Sequence, residues 1–214
     1  LIMKIGLPAG FQGAIFSVSN VLIQSSINSF GSIAMAGSTA SANVEGFVYN
    51  AMNAVYQTAL SFTSQNYGAG KMNRVTKILL YCLGLVVMVG AVMGGGAVLI
   101  GPKLLQIYSS DPEVISYGMM RMRIINGSYF LCGIMDTMVG GLRGLGYSVV
   151  PMLVSLTGAC LFRVVWIFSV FAMHRTLTTL YISYPVSWII TFTAHIICYI
   201  VIRKRIAARR KPRD

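Results

Sequence analysis

The chain has 214 residues, of which 56% are hydrophobic and only 10% charged, where a soluble domain averages ~25% charged. With a mean hydropathy of +0.71, this composition excludes an ordinary water-soluble domain and indicates an all-α integral membrane protein. The net charge of +12 invites a nucleic-acid reading, but the basic tail RKRIAARRKPR carries no interleaved aromatic residues, so nucleic acid is set aside as a partner.

A membrane span needs about 20 mostly apolar residues, and six runs qualify: 7–28, 43–66, 78–100, 118–142, 147–173 and 182–202. Residues 1–202 therefore read as one six-helix lobe and 203–214 as a basic cytoplasmic tail. The first run repeats Gln12, Ser19 and Ser26 at seven-residue steps, with Ser17 and Gln24 alongside, opposite Ile15, Val18 and Leu22. Gly31 separates it from the second run. There Asn43, Gly46, Asn50, Asn53, Gln57, Ser61 and Ser64 share one helical face opposite Val48, Met52, Val55, Ala59 and Phe62. YGAGKMNR (67–74) ends this helix with glycines suited to a positive-φ exit. It lacks the spacing and the Ser/Thr of a phosphate loop.

The third run, ILLYCLGLVVMVGAVMGGGAVLI, contains no charge, and its Gly94, Gly95 and Gly96 mark a soft point or a close helix contact. In SSDPEV (109–114), Asp111 suits an N-cap, Pro112 the first helical position and Glu113 the first turn. The fourth run places Asn126, Tyr129, Gly133, Asp136 and Gly140 on one side. Pro151 and Pro185 lie near the starts of the last two runs, where helices tolerate proline. Cys82, Cys132, Cys160 and Cys198 fall on four separate runs. His195 and Cys198 alone do not make a metal site, so neither metal nor cofactor is expected.

The polar stripes have two readings. Small and amide side chains bond neighbouring helices, or they line a water-filled cavity. Three helices with such faces exceed what packing requires, which favours a cavity lined by Gln12, Ser19, Gln24, Asn50, Asn53, Gln57, Asn126 and Tyr129. Among the charges, Glu45, Asp136 and Arg163 fall within spans. At ~1.5 Å per residue, Arg163 lies ~15 Å from the outer surface and Glu45 ~13 Å, counting the second helix from about Ala36, with Asp136 ~10 Å from the opposite one. Depth therefore pairs Glu45 with Arg163 as a structural ion pair and leaves Asp136 alone. Desolvation favours the neutral form of such a carboxyl. It either exchanges a proton or Na⁺, or rests hydrogen-bonded to a neighbouring helix.

With both termini inside, the inner side holds Lys4, Lys71, Arg74, Lys77, Arg143 and seven tail residues, twelve in all, against the four of Lys103, Arg121, Arg123 and Arg175. The positive-inside rule then predicts cytoplasmic termini in a plasma or inner membrane, with the tail against anionic lipid.

IGLPAGFQGAIFSVSNVLIQSSINSFG (5–31), ALSFTSQNYGAGKMNRV (59–75), IYSSDPEVI (107–115) and GGLRGLGYSVVPM (140–152) together resemble the multidrug and toxic compound extrusion (MATE) transporters. The turn with Gln65, Asn66, Gly68 and Gly70 is the most specific part. The resemblance is to the C-terminal lobe. It implies spans seven to twelve of a twelve-helix, two-lobed transporter, with the N-terminal six-helix lobe as the missing partner; a chain that opens on Leu1 fits that expectation. It further implies an antiporter, not an enzyme, exchanging H⁺ or Na⁺ for organic, often cationic, compounds by alternating access. One branch carries an acid in the tenth span ahead of an arginine-glycine motif, and Asp136 ahead of Arg143 and Gly144 falls there. That branch also has an acid in the seventh span, about eight residues after the proline, where this chain has Phe16 or Ser17. A lipid-linked oligosaccharide flippase of the same superfamily needs several cleft cations, and Arg163 alone is in position. A membrane enzyme needs a nucleophile–base set, and His174 and His195 have no evident partners. The stripes argue against a non-transporting scaffold or receptor.

Overall fold

The computed structural model describes residues 2–209. The apolar runs fold as helices, since backbone polar groups out of reach of water are best satisfied within one segment. In chain order these are α1 (Ile2–Asn28), α2 (Ser32–Gly68), α3 (Met72–Leu99) and the short α4 (Gly101–Gln106). Then follow α5 (Pro112–Ile125) and α6 (Tyr129–Gly144), joined by one tighter turn at Asn126–Ser128. Next, α7 (Val149–Ser155) and α8 (Phe162–Trp166) are linked by a wider π-type turn at Leu156–Leu161 and followed by another at Ile167–Phe171. α9 (Leu177–Arg209) completes the bundle. There is no strand among the described residues. Four stretches are long and apolar enough to cross a membrane: Gly6–Asn28, Met72–Leu99, Val149–Phe171 and Leu177–Ala208.

The helix boundaries follow local chemistry. Asp111 caps α5 by accepting from the Glu113 amide at 2.8 Å, with Pro112 at the first helical position. Gly31, Gly70 and Gly146 take φ of +98°, +76° and +88° in three of the inter-helix turns, a region that L side chains rarely enter. The break between α5 and α6 sits where Ser128 Oγ donates to the carbonyls of Ile124 (2.6 Å) and Ile125 (3.3 Å). That side chain competes for carbonyls the helical ladder would otherwise use.

α2 is the axis of the bundle, with α3, α5 and α6 packed around it. Its buried face, including Val44, Val48, Met52, Val55 and Ala59, meets Val86, Met122, Ile125 and Met135 in the main core. A second core of Val75, Leu79, Met138, Leu142, Tyr199 and Ile202 joins α3, α6 and α9 nearer the C-terminal end. Glycine makes the closest approaches possible. A Cβ at Gly140 or Gly144 would meet the Tyr56 or Leu60 carbonyl oxygen of α2 at 2.8 and 2.9 Å, and one at Gly133 would meet Met52 and Val86. Of the three adjacent glycines in α3, Gly94 packs on the Asn126 carbonyl, while Gly95 and Gly96 face open space. His195 of α9 is fully buried against the Pro151 carbonyl (3.3 Å) and Ser155 (3.5 Å) of α7.

Several boundaries differ from the sequence reading, and two of them bear on the site. α2 begins at Ser32, well before residue 43, and α5 begins at Pro112, six residues before 118. The second shift moves Arg121 from the outer rim to ~13 Å along a helix, where it is 7% exposed.

Candidate functional site

A cavity of about 610 Å³ opens between α1, α2, α5, α6, α8 and α9. Its walls carry five acidic or basic side chains: Glu45, Arg121, Asp136, Arg143 and Arg163. On α2, Ser38, Ser41 and Glu45 follow helical spacing and turn toward α5. Arg121 answers with a bidentate pair, Nε to Oε1 at 2.7 Å and Nη2 to Oε2 at 2.8 Å. Its remaining Nη1 donates to Ser38 Oγ at 3.0 Å. Ser41 Oγ donates to Glu45 Oε1 at 3.2 Å. This buried group is electrically closed: the planar fork matches the carboxylate, and serine hydroxyls take up remaining polar valences.

The expected Glu45–Arg163 pair is therefore corrected, since Glu45 pairs with Arg121. Depth arithmetic placed Arg121 outside the apolar layer because it started the fourth helix too late. It also ignored rotation about the helix axis, which decides the partner between residues of equal depth. Arg163 is 4% exposed. Its Nε donates to Ser187 Oγ at 3.0 Å, and its guanidinium carbon lies 4.2 Å from the centroid of the Tyr184 ring and 5.9 Å from that of Trp188. It has no carboxylate partner among the described residues.

On α6, the cavity and the packing contacts use adjacent strips. Tyr129, Cys132, Asp136 and Arg143 face the cavity, and Gly133, Gly140 and Gly144 face α2. Asp136 forms no hydrogen bond or ion pair among the described residues, and the charged side chain nearest to act on it is Arg143. Arg143 donates from Nη2 to Gln12 Oε1 and from Nη1 to Tyr56 Oη, both at 2.8 Å. The sequence reading assigned Arg143 to the inner basic surface. The structure makes it a bridge from α6 to α1 and α2.

Gln12, Gln24 and Tyr129 line the cavity as expected from their stripes. Ser19 and Asn126 do not. They are 3% and 1% exposed, buried in helix contacts, because heptad spacing selects a face without saying what it opposes. Asn50 and Gln57 are exposed and Asn53 is partly so. All three lie outside this cavity, roughly 80–140° around α2 from Glu45 at ~100° per residue. The signals available for the missed residues, Arg121 and Arg143, were their charge and their position in the fourth segment, about two helical turns either side of Tyr129–Asp136. The wall of Tyr184 and Trp188 was invisible as a site, since aromatics in an apolar helix read as packing.

Among known proteins, the chain is 24% identical over 154 residues to Probable multidrug resistance protein NorM of Thermotoga maritima, covering 72% of this chain and 33% of that protein. Its fold is that of the Vibrio cholerae MATE transporter VcmN in the bent form (TM-score 0.85, 20% identity, 95% of this chain and 46% of that one). It is also similar to the MATE transporter ClbM in complex with Rb⁺ (TM-score 0.81, 18% identity, 92% and 46%). The chain thus spans a third of the curated relative and under half of each solved transporter. The MatE family profile matches residues 8–169, most of the chain, and the chain belongs to that family of multi-pass membrane transporters.

Proposed function

We propose that the chain is the C-terminal half of an ion-coupled antiporter that exports organic compounds by alternating access, with Asp136 as its coupling carboxylate. One observation carries the reading. Of the two acids on the cavity wall, Glu45 is closed off by Arg121 while Asp136 has no bonded partner. A carboxylate left open in a membrane cavity is the group a proton or Na⁺ can use. The Rb⁺ held by ClbM, a transporter of the same fold, supports a monovalent cation as the coupling species.

In this reading the polar face of α2 bearing Asn50, Asn53 and Gln57 turns toward a second six-helix lobe, because amides exposed along a span have no partner in lipid. Six spans, α5 with α6 and α7 with α8 each counting as one, place both termini on the same side. With Arg121 buried and Arg143 in the cavity, the tally becomes eleven inside against the three of Lys103, Arg123 and Arg175 outside, which still supports cytoplasmic termini in the cell membrane.

The flippase alternative was set aside for want of cations, and three arginines in fact line the cavity. Against two acids they leave an excess of one positive charge. That falls short of what a pyrophosphate requires, so the antiporter is retained.

The test is dye efflux by the full-length protein in vesicles. Asp136→Asn is expected to abolish ion-driven efflux while leaving folding intact. Unchanged efflux and ion dependence in that variant would remove Asp136 from coupling.

A further inference from the structure

The cavity holds one guanidinium that nothing in the coupling scheme uses. Arg163 is buried, and only its Nε is bonded, to Ser187. Its two terminal nitrogens make no hydrogen bond among the described residues, yet they are not sealed off, and the side chain lines the cavity. No carboxylate lies within ion-pair distance of it among the described residues. A buried charge without a counter-charge is costly unless a ligand or water completes it. Arg121 shows what completion looks like in this lobe, since its own fork is filled by Glu45 and Ser38.

An aromatic wall borders the open fork. The Tyr184 and Trp188 rings lie 5.8 Å apart and the Tyr129 and Trp188 rings 5.5 Å apart, and all three residues face the cavity. Asp136, Cys132 and Arg163 all line the cavity, so an acid and a base without a carboxylate partner share its wall. The volume of about 610 Å³ falls within the ~300–1,000 Å³ of small-molecule sites.

We infer that Arg163 is the anion subsite of this cavity, receiving the carboxylate of an aromatic, amphoteric substrate whose cationic end lies toward Asp136. The fork offers two parallel N–H donors to the carboxylate, and the substrate ring packs against the cavity-facing edges of Tyr184 and Trp188, since the Arg163 guanidinium already covers one face of Tyr184. With Asp136 and Arg163 on its wall, the cavity offers one unpaired charge of each sign, which suits a zwitterion. The inference rests on the cavity being the substrate site and narrows the substrate class from cations in general to compounds that also carry a carboxylate.

Two arms test it. In vesicles containing the full-length protein, export of rhodamine with its free carboxylic acid is compared with export of its methyl ester. Arg163→Met is expected to lower the preference for acid over ester about tenfold, the effect of one charge-assisted contact. Arg163→Lys is expected to fall between, because a point charge lacks the planar fork. An unchanged acid-to-ester ratio in Arg163→Met overturns the inference. The second arm needs no variant and no transport: benzoate and benzamide are titrated into the purified wild-type protein in detergent, with tryptophan fluorescence as readout. Benzoate is expected to bind and benzamide not, and equal behaviour of the two overturns the subsite. Absence of export of both the acid and the ester by the wild-type protein would instead sink the antiporter reading, while the benzoate titration still decides the role of Arg163.

Discussion

Arg121→Met tests the electrostatic logic of the lobe most directly. The substitution keeps an unbranched side chain of similar length and removes three hydrogen bonds, two to Glu45 and one to Ser38. Glu45, 6% exposed, is left with Ser41 alone. Breaking a buried ion pair from one side costs about 3–5 kcal/mol, since the surviving charge stays desolvated. Replacing both partners is far milder, so the double variant Glu45→Gln with Arg121→Met should recover more than half of that loss. The assay is a double-mutant cycle on thermal unfolding of the purified protein in detergent, where ~3–5 kcal/mol corresponds to a fall on the order of 10 °C. The same cycle run on Glu45→Gln with Arg163→Met should show coupling under about 0.5 kcal/mol, the value for sites without a shared bond. Strong coupling of Glu45 to Arg163, or a wild-type unfolding temperature for Arg121→Met alone, would refute the pairing.

Two further outcomes follow from the same geometry. Gly94→Ala should destabilise the protein by about 1–3 kcal/mol, because the new methyl meets the Asn126 carbonyl on the adjoining backbone. Gly95→Ala, with nothing within 4 Å, should be neutral or slightly stabilising. Thermal unfolding of the two variants side by side measures the contrast. Arg143→Met should loosen α1, whose side-chain tie to α6 is the Gln12–Arg143 bond. Hydrogen exchange should rise in residues 6–28 and stay unchanged in α3, and equal protection in variant and wild type would count against that tie.

What the chain itself made legible was local or compositional. The apolar runs named the solvent, because no soluble fold spends so few charges on its surface. The Asp111–Pro112 helix start and the glycine exits at Gly31 and Gly70 were readable because each is decided by a few neighbouring residues. The quoted motifs carried the family. Periodicity showed that Gln12, Tyr129 and Asp136 lie on polar faces, and the cavity uses all three.

Tertiary structure decided which group meets which. Glu45 and Arg163 are alike in depth, yet the α2–α5 contact turns Glu45 to Arg121. The stripe of Asn50 and Gln57 is periodic, but the cavity takes the neighbouring face of Ala42, Glu45 and Tyr49. Helical spacing fixes the angles among residues of one helix and leaves its rotation relative to the next helix free. That rotation is set by small residues such as Gly37, which meets Val114 and Gly118 of α5 closely enough to exclude a Cβ. The carboxylate closed by an arginine, the carboxylate left open and the arginine left without an acid therefore appear only once the helices are packed.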